Sequence, residues 1–258
     1  MRRPPLILIA PDVDQQGPEF GDLSISLSVC YPRAILDAGG LPMLLPPTVE
    51  REAIADCVSR SDGVLLTGGG DVEPRLHTRR LPRGLRRTVT VCPDGGQRDL
   101  RELLLIDEVF RQRKPLMAIC RGHQMLNVAL GGALLIDIPG QLPKALNHHQ
   151  MDRKGQVVHE VRLTPDSLLA KITGTVKLGV NSTHHQAVAH VAGPLRAVAL
   201  SSDDVVEGLE FKPGAAHYLP FLLSVQFHPE RLAQRSSEHR ALFRAFIRAC
   251  VRSRNKFL

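Results

Sequence analysis

One cysteine in the chain stands in a setting that suits a nucleophile. An apolar segment leads through Ala118 to Cys120 and Gly122, after which residues 125–130 have a helical pattern. Small residues two before and two after a nucleophile are typical of the tight turn that joins a strand to a helix. Such a turn presents the sulfur at the carboxyl end of a sheet, near a helix N-terminus that stabilises a thiolate. We therefore expect Cys120 to be a nucleophile rather than one more buried small hydrophobe.

A cysteine nucleophile needs a base, and His228 is the best placed of the eleven histidines. It follows the apolar segment 221–227 and precedes Pro229 and Glu230. In an extended segment, residues two apart point the same way, so Glu230 would reach the imidazole and fix its tautomer. A surface His-Pro-Glu turn is the alternative. Beside the cysteine turn, the pattern favours a Cys120–His228–Glu230 triad.

A glycine run, Gly68 to Gly70, follows the apolar segment 63–66. Glycines allow backbone N–H groups to approach a developing oxyanion, and the N–H of Arg121 would be a second donor. A plain tight turn is the alternative. No Gly-Lys-Ser/Thr follows, so the run is not a phosphate-binding loop.

The elements that must position these residues alternate between apolar runs and helical patterns. We expect strands at 6–10, 63–66, 115–119 and 134–138, and helices at 53–60 and 99–113, the second starting in a capping box at Asp99. This alternation predicts an α/β fold with a mostly parallel sheet flanked by helices. After Gly140 five further strands have few helices between them, which predicts an antiparallel extension: 157–163, 176–180, 196–200, 205–210 and 221–227. A last helix would begin near Ser236, and residues 1–258 would form a single domain.

Composition narrows the function classes. The chain has 33 basic and 26 acidic residues, a net charge of +7, and its five cysteines include no CxxC pair. That cysteine pattern argues against a disulfide framework and a zinc ribbon. No segment has the ~20 apolar residues of a membrane span, and residues 6–10 are too short for a signal-peptide core, so we expect no membrane partner and a cytoplasmic location.

Basic residues are concentrated in two places. The first is a connection without acidic residues, which contains Arg75, Arg79, Arg80, Arg83, Arg86 and Arg87. The second is a stripe at four-residue spacing in the last helix, formed by Arg240, Arg244, Arg248 and Arg252. The chain has only eight Phe and two Tyr, no Trp and no RNA-binding or zinc-finger motif. We interpret these arginines as solvated faces and expect no nucleic-acid partner. For the first group there is an alternative: a position at the pocket rim, where it would select leaving groups that carry a negative charge.

Four segments are informative when taken together: Thr67-Gly-Gly-Gly-Asp-Val-Glu-Pro, Cys120-Arg-Gly-His-Gln, Val180-Asn-Ser-Thr-His-His-Gln-Ala-Val and Val225-Gln-Phe-His-Pro-Glu. They resemble the class I glutamine amidotransferase-like hydrolases, and more narrowly the γ-glutamyl-γ-aminobutyrate hydrolase group of the peptidase C26 family. The resemblance extends from about Ile7 to Glu230. The resemblance implies a flavodoxin-like fold. The sequence departs from the family pattern at Ala118, at Ser201–Asp204 and in the arginine-rich connection.

The resemblance also implies roles for single residues. Cys120 would be the nucleophile, His228 the base and Glu230 its partner, while Gly69 or Gly70 with Arg121 would form the oxyanion hole. Gln124 would face the glutamyl group. We expect three further residues to line the substrate side of the pocket: Asn181, His185 and Gln186.

Two histidine pairs, His148-His149 and His184-His185, raise the question of a metal. Neighbouring residues on a strand point to opposite faces, so such a pair rarely shares one ion. We therefore expect no metal and no other cofactor.

These features predict hydrolysis of a γ-glutamyl amide, such as γ-glutamyl-γ-aminobutyrate, through a thioester that releases glutamate. Two alternatives stay open: a glutaminase subunit that supplies ammonia to a separate synthetase, and a catalytically silent binding protein. An α/β-hydrolase fits less well, because there the acid precedes the histidine. The partner is a small γ-glutamyl substrate, and the sequence leaves homo-oligomerisation open.

Overall fold

A computed structural model describes residues 3–14, 16–18, 20–92 and 94–255. The strands are β1 (Leu6–Ala10), β2 (Asp12–Asp14), β3 (Ser24–Ser26), β4 (Leu41–Leu44), β5 (Gly63–Leu66), β6 (Leu116–Ile119), β7 (Ala133–Leu135), β8 (His159–Leu163), β9 (Lys177–Val180), β10 (Ala187–His190), β11 (Leu195–Ser201), β12 (Val206–Phe211) and β13 (Leu222–Val225). The α-helices are α1 (Cys30–Asp37), α2 (Arg51–Arg60), α3 (Gln97–Arg111), α4 (Arg121–Ala129), α5 (Ile138–Gln141), α6 (Leu168–Thr173), α7 (Pro229–Leu232) and α8 (Ser237–Arg254).

One large sheet organises the chain. Its main path runs β4-β1-β5-β6-β13-β12-β11-β8-β9, and β10 joins it by pairing with β12 and β7. The pairs from β4 to β13 are parallel, and those from β13 to β9 are antiparallel. This confirms the expected mostly parallel sheet with an antiparallel extension from the C-terminal half.

Apolar cores cover both faces of the parallel half. Successive side chains of a strand point to opposite faces, and in β1 Ile7 and Ile9 belong to one core whereas Leu8 and Ala10 belong to the other. The first core contains residues of α1, α6 and α8, and the second contains residues of α2, α3 and α4. The inner parallel strands β5, β6 and β13 are therefore buried between two helical layers, which explains why they are almost uniformly apolar.

Several sequence-based boundaries need correction. The strand expected at 134–138 ends at Leu135, because the Asp137 side chain accepts a hydrogen bond from the N–H of Gly140 and caps the short helix α5. The capping box expected at Asp99 is wrong: α3 begins two residues earlier, after Gly96 in a left-handed conformation. The edge strand β4 was missed because Pro42 argues against a strand interior, and proline is tolerated at an edge.

Three neighbouring strands carry the candidate chemistry to one place. β5 leads into the glycine run, β6 into Cys120 and β13 towards His228, and these strands are adjacent in the order β5-β6-β13. The backbone N–H of Cys120 donates to the carbonyl of Val225 at 2.9 Å, which continues the β6–β13 pairing to the cysteine itself. Because the three strands are parallel, their carboxyl ends meet at one edge of the sheet.

Candidate active site

Cys120 lies at the turn between β6 and α4 in a conformation that few non-glycine residues adopt. Its φ is 52° and ψ is −106°, and the residue is 6% exposed. Such strain persists only where the surrounding structure imposes it. The structure explains why residue 122 must be small. A Cβ on Gly122 would lie 2.5 Å from Cβ and 2.8 Å from the carbonyl oxygen of Leu66.

His228 and Glu230 form a buried pair. Nδ1 of His228 lies 2.7 Å from Oε1 of Glu230, and the two residues are 7% and 3% exposed. The chain is not extended here as expected, because Pro229 and Glu230 begin the helix α7 and it is this turn that brings the carboxylate back to the ring. The proximity was predicted, but the geometry behind it was wrong.

The surroundings of His228 favour its protonated form. Burial lowers its pKa, but the charges of Glu230 and Cys120 outweigh burial and raise the pKa to about 10. The imidazole is close to the other two parts of the site, since a Cβ on Gly68 would lie 2.7 Å from its Cε1 and 3.5 Å from Cβ of Cys120. An imidazolium beside a cysteine sulfur stabilises a thiolate. The arrangement thus suits nucleophilic attack followed by proton donation.

Tyr31 is a residue of this site that sequence reasoning missed. Its hydroxyl accepts a hydrogen bond from the N–H of Gly68 at 3.0 Å and lies 3.3 Å from Nδ1 of His228. The residue is buried at the start of α1. It links the glycine run to the histidine, and no local sequence signal marks it, because it is 197 positions from His228.

The glycine run has the backbone freedom that an oxyanion site requires. Gly69 has φ +149°, and a Cβ there would collide with the guanidinium of Arg98 and the carboxylate of Asp12. Among the described residues, the N–H groups of Gly69, Gly70 and Arg121 donate no hydrogen bond to another group. The N–H of Arg121 is also unpaired for a general reason, since the first N–H groups of a helix lack intrahelical acceptors. All three are free to bind a ligand.

Buried ion pairs of two arginines lie next to the glycine run and hold its backbone in place. Arg98 donates to the carbonyl of Gly68 at 2.7 Å and to Glu102 at 3.0 Å, and its Nη1 is 2.6 Å from Asp12. The side chain of Arg121 pairs with Glu102 and Asp99. Arg98 and Arg121 are at most 1% exposed. The four-residue spacing of Arg98 and Glu102 indicates an ion pair within a helix, but the same spacing is typical of exposed pairs, so it does not predict a buried one.

Asn181 does not line the substrate side as expected. It is fully buried; its side-chain oxygen accepts from the N–H of His228 at 2.9 Å, and its nitrogen donates to the carbonyl of His228 at 3.0 Å and to that of Lys154 at 2.7 Å. With its amide committed to backbone groups, Asn181 holds the His228 backbone in place rather than facing a ligand.

Gln124 and Gln186, also expected at the substrate, lie in a polar layer. Gln124 donates to the carbonyl of Gln186 and to the side chain of Gln226, and Gln186 donates to the carbonyl of Ile136. Gln124 and Gln186 are 4% and 2% exposed. Direct contact of either with a glutamyl group therefore stays a prediction.

His185 joins two carboxylates instead of presenting a free nitrogen. Its Nε2 lies 2.9 Å from Asp71 and its Nδ1 lies 3.0 Å from Asp137. The hydrogen bond with Asp71 is the largest influence on its pKa, which rises to about 9 despite burial. The two carboxylates favour the protonated imidazole, which connects Asp71 after the glycine run to Asp137 at the start of α5.

The fold is that of the class I glutamine amidotransferase-like proteins. The structure of a GMP synthase subunit from Thermoplasma acidophilum matches with a TM-score of 0.64 over 99% of both chains, with 16% identity. The family model for peptidase C26 matches residues 5–230, and the chain belongs to that family.

Two relatives agree with this assignment. Protein NtpR of Enterococcus hirae is 37% identical over 219 residues, covering 84% of this chain and 86% of that protein. The gamma-glutamyl-gamma-aminobutyrate hydrolase PuuD of Escherichia coli is 33% identical over 239 residues, covering 89% and 88%. Family and relatives indicate a hydrolase. No helix in the described part of the chain is long and apolar enough to cross a membrane.

Proposed function

We propose that this protein hydrolyses γ-glutamyl amides with Cys120 as nucleophile, His228 as acid and base, and Glu230 as the group that orients His228. The observation that carries the proposal is the 2.7 Å contact between His228 and Glu230 at the strand end beside the strained Cys120 turn. Similarity to a γ-glutamyl-γ-aminobutyrate hydrolase supports the substrate class.

The first half-reaction forms a thioester. The Cys120 sulfur attacks the γ-carbonyl carbon, and the N–H groups of Gly69 or Gly70 and Arg121 stabilise the oxyanion. Protonated His228 then gives its proton to the amine nitrogen as the C–N bond breaks. The free amine leaves, and the γ-glutamyl group remains on sulfur.

The second half-reaction releases glutamate. Neutral His228 takes a proton from water as the water oxygen attacks the thioester carbon, and the C–S bond breaks. The Glu230 carboxylate orients the ring through Nδ1 and stabilises the imidazolium. Tyr31 and Asn181 act as positioning residues for His228.

Released glutamate from a panel of substrates tests the proposal. The purified protein is incubated alone with γ-glutamyl-γ-aminobutyrate, other γ-glutamyl amines and glutamine, and glutamate is quantified. Turnover of γ-glutamyl amines that is lost in Cys120→Ala supports the hydrolase. Turnover of none of them by the folded wild type would contradict it.

A glutaminase that works for a separate synthetase is the second candidate, favoured by the fold shared with a GMP synthase subunit. The same panel separates the two. Such a glutaminase prefers glutamine and gains activity with its synthetase, whereas the proposed hydrolase prefers bulkier amines and works alone.

The leaving amine is proposed to carry a negative charge. The connection after the glycine run lines an open pocket of about 1030 Å³, and the lining includes five exposed arginines: Arg75, Arg79, Arg80, Arg83 and Arg86. The connection begins at Asp71, directly after the glycine run. A carboxylate such as that of γ-aminobutyrate suits a bidentate guanidinium.

A further inference from the structure

Three histidines surround one buried carboxylate on the antiparallel side of the sheet. Oε1 of Glu207 lies 3.4 Å from Nδ1 of His148, 3.6 Å from Nε2 of His159 and 3.5 Å from Nε2 of His184. Glu207 is fully buried in β12, and His148 and His184 are 2% and 4% exposed. The histidines come from three other segments, so the cluster joins four parts of the chain.

These groups lack the hydrogen bonds that burial demands. Among the described residues, both carboxylate oxygens of Glu207 and Nε2 of His159 and of His184 are buried without a hydrogen-bond partner. A buried carboxylate without partners is strongly destabilising. The two Nε2 atoms without partners, of His159 and His184, both lie next to the same oxygen, Oε1 of Glu207.

The outward-facing nitrogens define the tautomers. Nδ1 of His184 lies 2.9 Å from the carbonyl oxygen of Gln186, and Nδ1 of His159 lies 3.3 Å from that of Glu160. A carbonyl only accepts, so each Nδ1 carries the proton and each neutral ring turns a lone pair at Nε2 towards Glu207. Two lone pairs facing a carboxylate repel one another unless a cation lies between them.

The distances fit a metal ion. Zinc binds nitrogen and carboxylate oxygen at about 2.0–2.2 Å in a tetrahedral arrangement, which separates neighbouring ligand atoms by roughly 3.3–3.6 Å. The three nitrogen–oxygen distances fall between 3.4 and 3.6 Å. The ligand atoms of His148, His159 and Glu207 all lie within 4.8 Å of one another, and His184 approaches the same oxygen.

The outer contacts are those of histidine ligands. Metal-bound histidines donate their second N–H to a carboxylate or a backbone carbonyl, which fixes the ring. Nε2 of His148 lies 3.0 Å from Asp203, and His159 and His184 contact carbonyls as described above. All three histidines have such a contact, and Nδ1 of His148, which faces Glu207, also lies 3.2 Å from Oγ of Ser182, a contact that the ion would replace.

We propose that His148, His159, His184 and Glu207 bind a structural Zn²⁺ ion. Three imidazoles and one carboxylate suit zinc better than the all-oxygen shells of calcium or magnesium. Four protein ligands leave no open position, which makes the site structural rather than catalytic. Asn181, the clamp on His228, lies three residues before His184, so the ion would hold this segment against the sheet.

The expectation of no metal considered only histidines that are neighbours in the sequence, and the proposed site combines histidines from different pairs. Neighbouring histidines do point apart: His149 is exposed and His185 faces Asp71 and Asp137. One member of each pair, His148 and His184, nevertheless points to the same side, with ring centroids 4.9 Å apart.

Metal content tests the proposal without any use of activity. Wild type, His159→Ala, Glu207→Gln and the matched control His149→Ala are loaded with Zn²⁺, dialysed and measured by mass spectrometry of the metal. We expect about one zinc per chain in wild type and His149→Ala, and at least a tenfold loss in the other two. A chelator should lower the Tm of wild type and of His149→Ala only.

Cobalt substitution covers the case in which a ligand variant fails to fold. Wild type loaded with Co²⁺ should show the intense visible bands of tetrahedral cobalt, which added Zn²⁺ removes. Wild type that retains neither metal after dialysis, with a Tm indifferent to chelator, would overturn the proposal in favour of a metal-free cluster of protonated histidines. Equal zinc in His159→Ala and His149→Ala would overturn it as well.

Discussion

The hydroxyl of Tyr31 lies 3.3 Å from Nδ1 of His228 while it accepts a hydrogen bond from the N–H of Gly68. One oxygen from α1 therefore connects the glycine run that would hold the oxyanion with the histidine that would move the proton. The contact with His228 is buried and the contact with Gly68 is partly buried, and away from water a hydrogen bond that loses its partner costs more than its net contribution when formed.

Tyr31→Phe should lower kcat/KM by about fivefold to thirtyfold, because the half-buried N–H of Gly68 loses its acceptor at a cost of about 1–2 kcal/mol and the loop is less well positioned. The phenyl ring keeps the packing of α1, so the far-ultraviolet circular dichroism should not change. Tyr218→Phe is the matched control, since the chain has two tyrosines and Tyr218 is 45% exposed. A wild-type value of kcat/KM in Tyr31→Phe would show that the Tyr31 hydroxyl does not position His228 or Gly68 for catalysis.

Glu230→Gln should shift the alkaline limit of activity towards neutral pH. Burial lowers the pKa of His228 and the charge of Glu230 is the largest influence raising it, so the pKa of about 10 falls when that charge is removed. Protonated His228 is then lost at lower pH, and with it the proton for the leaving amine. The check is kcat/KM against pH, with Glu52→Gln on the exposed face of α2 as control. Superimposable alkaline limbs in Glu230→Gln and wild type would refute the coupling.

His185 should make stability depend on pH. Its folded pKa of about 9 exceeds the ordinary value of 6.5, so its contribution is complete below pH 6.5 and disappears as pH rises to about 9. The imidazole reaches solvent, so we discount the effect to about 1–2 kcal/mol. Because His228 also titrates in the alkaline range, the measurement is the difference in Tm between wild type and His185→Gln from about pH 6 to about pH 9.5, a window that spans both pKa values.

That difference should shrink as pH rises, and the exposed His190→Gln should show none. A difference between wild type and His185→Gln that stays constant over the whole range would mean that the imidazolium is not what holds Asp71 and Asp137 together.

The arginine-rich connection should select anionic amines through its charge. We expect kcat/KM for γ-glutamyl-γ-aminobutyrate to fall several-fold as salt rises, because the Debye length is only about 10 Å at 0.1 M. A neutral γ-glutamyl anilide should show no such dependence. Changing Arg79, Arg80 and Arg83 to Gln should abolish the difference between the two substrates.

The control for this prediction is a second triple variant, in which Arg240, Arg244 and Arg248 of the α8 stripe are changed to Gln. The change in net charge is the same, but these residues lie on a helix at the other end of the chain. If both triple variants alter the salt dependence equally, the connection contributes only to overall charge and not to specificity.

Local patterns predicted the parts of this site that adjacent residues create. The run from Ala118 to Gly122 predicted the turn at Cys120, because the steric demand that excludes bulk there acts within one strand-to-helix connection. The adjacency of β6 and β13 was not predicted, because the segment 221–227 was expected in the antiparallel extension, whereas β13 pairs in parallel with β6.

Contacts between residues far apart in the sequence could not be predicted from local sequence patterns. Tyr31 meets His228 across 197 positions, and the zinc cluster proposed here draws His148 and His184 from separate segments. Asn181 was expected at the substrate because its type suits one, yet its amide is used by the His228 backbone. Side-chain type suggests what a group is able to do, and only the fold decides what it faces.

Acyl-enzyme trapping tests the central claim most directly. Wild type and Cys120→Ala are mixed with a γ-glutamyl anilide, quenched in acid within the first turnover, and analysed by mass spectrometry of the intact protein and its peptides. Our account predicts a γ-glutamyl adduct on the Cys120 peptide of wild type, none in Cys120→Ala, and unchanged adduct in Cys57→Ser. An adduct on another residue, or turnover by folded Cys120→Ala at the wild-type rate, would contradict it.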